Sequence, residues 1–229
     1  MRARLSASTC GAERTATRGS LLRGTLLAAV SLLVIIAPRA AAQTAQSVDA
    51  VIDKATEDFF AGRITESVTG FDRAAALEPA IAPELWQRGI ALYYAGRYRD
   101  CRAQFESHRT VNPADVENAA WHFLCVARSE TPARARAALL PVGPDDRAPM
   151  REIYRMYAGM VAPESVLVAG IAGSRARFYA ALYVGLYYEA LGEARAETYI
   201  REAASEQYAR EGGYMNRVAK VHMQVRGWK

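Results

Sequence analysis

From about residue 47 onward, apolar positions recur along the chain with a period near 3.6 residues. Glycines and prolines cut that pattern into helix-length pieces. The clearest piece runs from Ala82 to Pro113. Leu85, Gly89 and Leu92 share one face, and Cys101 and Phe105 share the next. Between them Gly96 suits the left-handed C′ position, which costs glycine nothing. Asn112-Pro113 stops the second helix, because proline has no N–H to donate and restricts the residue before it. The stretch predicts two antiparallel helices, with Gly89 and Cys101 as the small residues where their axes approach.

The same punctuation organises the rest. Ser47–Gly62 predicts a helix with Ser47 as N-cap and Asp49 in its first turn, followed by a second helix over 65–77 that Pro79 ends. Asp115–Arg128 predicts a third hairpin's first helix, carrying Trp121, Leu124 and Cys125. Pro132 opens its partner, with Ala137 facing inward. Residues 141–149 (PVGPDDRAP) read as a loop, and two short helices follow over 150–158 and 163–169. Arg175–Gly192 and the positions Ala196, Ile200 and Ala203 predict a further hairpin. Gly212-Gly213 precedes a last helix over about 216–225, placed as a cap. The fold class expected is all-α, and sheet is hard to place anywhere.

Two hairpins share a period. Gly62, Ser67, Phe71 and Pro79 stand 34 residues before Gly96, Cys101, Phe105 and Pro113. Four coincidences at one spacing are the strongest signal in the chain. The residues at Leu85, Gly89, Leu92, Gly96, Tyr98, Cys101, Phe105 and Pro113 resemble the motif of the tetratricopeptide repeat (TPR). Trp86 stands one place after the motif's usual Trp, and His108 occupies its Ala position. The resemblance implies a helical-hairpin solenoid of about three to four repeats with non-repeat and capping helices.

Charge changes the picture only at the start. Of 29 basic and 24 acidic residues, six Arg and one Glu lie in residues 1–42, leaving 23 of each in the remainder. The basic excess therefore belongs to the first segment, and nucleic acid is not an expected partner. There, an apolar run over 21–37 precedes Ala40-Ala41-Ala42, a small-x-small cleavage pattern, so residues 1–42 read as an export leader and 43–229 as one domain. The uninterrupted apolar part is short for a membrane span, so membrane contact is expected only if the leader stays uncleaved. The Arg-, Ser- and Thr-rich start leaves two destinations open: a bacterial periplasm or secretion, and a plastid thylakoid lumen reached by a two-part leader.

RGIALYYAGR (88–97), WHFLC (121–125) and FYAALYVGLYYEALGE (178–193) resemble NlpI-type bacterial TPR proteins and exported TPR proteins of cyanobacteria and plastids. The resemblance implies a non-enzymatic scaffold that brings protein partners together. In the bacterial case these are envelope or peptidoglycan-processing enzymes. In a lumen the role becomes assembly or stability of a membrane-associated photosynthetic complex. By the same resemblance, the concave groove is lined by Phe59 and Phe60 of the first hairpin, Trp86, Ile90, Tyr93 and Tyr94 of the second, and His122 of the third. Aromatic anchors of this kind favour binding, and the same stripe also suits packing between hairpins. A homo-oligomer stays open, because repeat arrays bury apolar ends against copies of themselves.

Candidate chemistry is thin. The chain has no G-x-S-x-G, H-E-x-x-H, Walker A or dinucleotide fingerprint, and His108, His122 and His222 are scattered. No catalytic residue, metal site or cofactor is expected. Asp145-Asp146 read as loop residues, and the motif register makes Cys125 a buried small residue facing its partner helix, with His122 turned towards the next repeat. Each cysteine takes the small position inside its own hairpin. Helix axes stand about 8–10 Å apart, against about 7 Å or less between bridged Cα atoms, so Cys101 and Cys125 are expected as free thiols.

Overall fold

A computed structural model describes the backbone of residues 36–228 and the side chains of 48–228. The chain divides between Ala41 and Ala42 into two units, the larger of which carries the helices from the body of α1 onward. Every regular element among the described residues is a helix. They are α1 (Ile36–Phe60), α2 (Ile64–Leu77), α3 (Trp86–Tyr94), α4 (Tyr98–His108), α5 (Val116–Ser129), α6 (Pro132–Ala137), α7 (Met150–Tyr157), α8 (Pro163–Ala169), α9 (Ser174–Ala190), α10 (Ala196–Ala204) and α11 (Ala209–Arg226). Helices neighbouring in sequence pack as pairs: α3 on α4, α4 on α5, α5 on α6, α9 on α10 and α10 on α11.

The turns follow the glycines. Gly62, Gly96 and Gly192 take φ of 76°, 73° and 73°. At Gly96 the chain closes a helix-ending turn in which Arg97 N–H donates to Leu92 O at 3.0 Å. Gly89 is needed for a different reason. A Cβ there would stand 2.6 Å from the Phe105 ring, so α3 and α4 touch backbone against ring. Gly185 meets Ile200 in the same way at 2.8 Å.

Other expectations need correction. Helix α1 runs straight through Ser47, which is therefore no N-cap. The second hairpin begins with a 3-10 turn over Pro79–Glu84, so its first helix starts at Trp86. In α6 the buried small residue is Ala135, while Ala137 points outward. The expected leader over residues 1–42 falls mostly outside the described residues, and among those described no helix is long and apolar enough to cross a membrane.

Cys101 and Cys125 form a disulfide, with Cα atoms 5.9 Å apart. The expectation of free thiols assigned Cys101 to the seam with α3. Phe105 fills that seam against Gly89 instead, and Cys101 turns to α5. Two small residues facing each other let α4 and α5 come closer than the ordinary helix spacing.

Two helices make the centre. In α5 every residue from Val116 to Ala127 is buried except Glu117, and in α9 burial is continuous from Phe178 to Tyr188. The Phe123 ring on α5 meets the Tyr157 ring on α7 at 5.0 Å, and Tyr157 packs on Tyr187 of α9 at 5.3 Å. Polar clips close the hairpins. Arg88 on α3 donates to Asp72 at 2.7 Å and to Gln104 at 2.8 Å, tying α2, α3 and α4. Arg147 bridges Asp115, Glu117 and Asp145, which pins the 138–149 loop to the start of α5.

Candidate functional site

The aromatic stripe expected as a groove is met by the chain's own last helix. Gly213 at φ 50° and ψ −121° breaks α11 near its start. Just beyond the break, Tyr214 stacks edge-on against Phe60 and Trp86, with ring centres 4.7 Å apart in both cases. The Arg217 guanidinium lies 3.5 Å over the Phe60 ring. Further along, His222 Nδ1 is 3.0 Å from the Tyr94 hydroxyl. Helix α11 thus packs on α10 and α9 and also reaches back to α1 and α3.

This places the seven expected groove residues in different environments. Phe59 is fully buried and packs on Tyr94. Phe60 and Tyr94 lie under α11. Tyr93 is buried, and its hydroxyl donates to Glu189 on α9 at 3.3 Å. His122 is buried and turned to α4, where Nε2 stands 3.3 Å from Glu106. Only Trp86 and Ile90 line open space.

That space is a cleft of about 660 Å³ between α3, the end of α4 and the first turns of α5, α9 and α11. Trp86, Ile90, Phe105 and Trp121 supply its apolar wall. His108, Asn118 and Arg175 supply polar atoms, and Tyr214 and Met215 close it from α11. The cleft exists because α5 starts late. Asp115 caps it by accepting from Glu117 N–H at 3.1 Å, and Asn118 and Trp121 follow on adjoining turns against α4 and α3.

The electrostatics are balanced. Glu117 accepts the Tyr183 hydroxyl at 2.6 Å and the Arg147 guanidinium at 2.6 Å. Burial nevertheless raises its carboxyl above the ordinary value, with Asp115 adding to the rise. Burial also raises the hydroxyls of Tyr179 and Tyr214, so both stay protonated. Arg175 is exposed at the rim, beside Tyr179.

Several polar atoms in this wall lack a protein partner. Asn118 Nδ2 donates to Phe105 O at 3.1 Å, but its Oδ1 accepts nothing. Trp121 Nε1 and the Tyr214 hydroxyl are likewise closed to solvent without a partner. His108 Nδ1 lies 2.8 Å from Pro83 O, so Nδ1–H is the donor to that carbonyl. Among the described residues no group of three or more His, Cys, Asp or Glu is placed to hold a metal ion. The wall was only partly visible in sequence. Trp121 stood out as a repeat-motif residue, whereas Asn118, Arg175 and Tyr214 carry no local pattern. No protein-family model matches the chain, and no curated protein matches it significantly.

Proposed function

We propose that the chain is a non-enzymatic, exported adaptor of TPR type that holds a segment of a partner protein in the cleft between α3, α5 and α11. The observation that carries this reading is the cleft itself, an open space in which Trp86, Ile90, Phe105 and Trp121 stand beside His108, Asn118 and Arg175. Concave clefts of about 300–1,000 Å³ are the usual size of binding sites. The 34-residue spacing and the hairpin pairing support the TPR-type reading, and the leader-like start with the Cys101–Cys125 bridge supports export to an oxidising compartment. No constellation in the cleft pairs a nucleophile with a base, which favours binding over catalysis.

The test is affinity capture from extracts of the source with the full chain as bait. A Trp86→Ala/Arg175→Ala chain of equal helicity serves as control. Partners held by the bait and lost by the control are the expected result. Capture that the control reproduces in full would remove the cleft from the adaptor's function.

A further inference from the structure

The end of α11 is held differently from its start. At the start Asn216 is buried, and its Nδ2 donates to Ala203 O at 2.7 Å and to Ser205 O at 3.1 Å, which fixes the helix to the end of α10. Val218, Ala219 and Val221 continue the buried face as far as His222. Beyond His222, Gln224 and Val225 are exposed, and Met223, Arg226 and Trp228 are half-buried. The last turns rest on few contacts. His222 meets Tyr94, Arg226 pairs with Glu189, Gln224 covers the Gly62 turn, and the Trp228 ring folds back on His222 with centres 5.1 Å apart.

His222 sits at the centre of that seat, with no exposed surface, and its surroundings oppose a second ring proton. From α3 the Tyr94 hydroxyl meets Nδ1 at 3.0 Å, with the Tyr93 ring packed edge-on beside Tyr94. From α9 Glu189 stands 3.5 Å from Nε2, but Arg226 of α11 and the Tyr93 hydroxyl already hold that carboxylate. From α5 Arg128 adds further positive charge. A protonated His222 would therefore place a third cation around one carboxylate. It would also turn Nδ1 into a donor and take away the acceptor of the Tyr94 hydroxyl proton. Water relieves both conflicts once the ring is exposed.

We propose that the turns of α11 from His222 to Trp228 form a strap that proton uptake at His222 releases from α3 and α9. Release bares the Tyr94 ring while Asn216 keeps the start of the helix on α10. The moving part is this seam and not the cleft, so the inference goes beyond the adaptor reading and does not depend on it.

Linkage sets the size of the effect. In the closed seat burial holds the ring at about 4, and in the open strap it returns to 6.5. Protons therefore favour the open form, and lowering the pH from 7.5 to 5.0 raises the open-to-closed ratio roughly 20-fold.

The test is amide hydrogen exchange of the full chain, expressed as protection factors so that the intrinsic pH dependence divides out. The expected result is that amides of residues 223–228 are at least about tenfold less protected than those of α5 at either pH, so that they open without global unfolding. Their protection falls roughly 20-fold from pH 7.5 to 5.0. His222→Gln keeps the same protection at both. Imidazole nitrogen NMR shifts of the parent chain still report a neutral His222 at pH 5.0, a readout that stands even if the variant fails to fold.

Four results would overturn the proposal. They are one shared protection factor for the strap and α5, strap protection that ignores pH, an equal fall in His222→Gln, and a charged His222 at pH 5.0 under a strap that stays protected. None of them bears on partner capture through Trp86 and Arg175, so the two readings fail separately.

Discussion

The Tyr94 hydroxyl on α3 meets Nδ1 of His222 on α11 at 3.0 Å, across 128 residues of chain. The contact joins the second hairpin to the last helix. With the imidazole neutral and its proton on Nε2, Nδ1 accepts from Tyr94, and the protonated edge faces Glu189 at 3.5 Å. That separation is too long for a good hydrogen bond, and Nε2 counts among the unpartnered atoms. Glu189 is held instead by Arg226 and the Tyr93 hydroxyl.

Burial lowers His222 from 6.5 to about 4, outweighing the pull of Glu189. The unfolded chain takes up a proton near pH 6.5 that the folded chain refuses until about pH 4, so stability is full above that window and falls as pH drops through it. The loss attributable to this group is about 3 kcal/mol. His122, lowered by burial, acts in the same sense, and Glu117, raised by burial, acts in the opposite sense above its ordinary value of 4.5. Urea melts between pH 4 and 6.5 should show His222→Gln flattening the slope. A variant with the parent's slope would contradict a buried neutral imidazole.

The Cys101–Cys125 bridge closes a loop of 24 residues. Loop-closure entropy assigns it about 3 kcal/mol, so reduction should lower the melting temperature by several degrees or more. A thiol titration of the denatured, unreduced full chain should find no more than one free thiol for its three cysteines. Three reactive thiols in air-oxidised protein would show the bridge absent.

Two glycine substitutions should fail for different reasons. Gly89→Ala forces a methyl against the Phe105 ring and should cost about 1–3 kcal/mol, part of which a second change, Phe105→Leu, restores. Gly96→Ala meets open space but holds φ at 73°, so it should cost about 1 kcal/mol with no rescue from Phe105→Leu. Double-mutant cycles by chemical denaturation separate the two; equal coupling in both would contradict the close α3–α4 contact.

The Tyr214 hydroxyl is buried without a partner. Removing it should leave stability unchanged or raise it by up to about 1 kcal/mol, because no hydrogen bond is lost and a desolvated group is relieved. A loss above about 1 kcal/mol in Tyr214→Phe would show that the hydroxyl has a partner in the resting protein.

Much of this fold was legible because its turns are written locally. Gly62, Gly96 and Gly192 end helices where a left-handed residue is needed, Pro113 and Pro163 bound them, and the 3.6 period shows which faces are buried. The cleft was not legible. Its closure depends on where the packing of the intervening helices brings Tyr214 and His222 relative to Phe60 and Tyr94. No pattern within α11 reports that distance. The cysteine bridge was missed for a related reason: which small residue meets Gly89 depends on helix rotation, and Phe105 took the place assigned to Cys101. The buried Asn118 and the half-buried Glu117 look like ordinary surface residues in a polar helix start.

The central claim is that the cleft, and no other face, holds the partner. Photo-crosslinking tests it most directly. Val111 at the cleft rim is 48 % exposed and Leu77 outside it is 51 % exposed, so both tolerate a benzophenone side chain. In the native compartment, the account predicts a discrete protein adduct from position 111 and none from position 77. Equal adducts from both positions, or adducts from 77 alone, would contradict it.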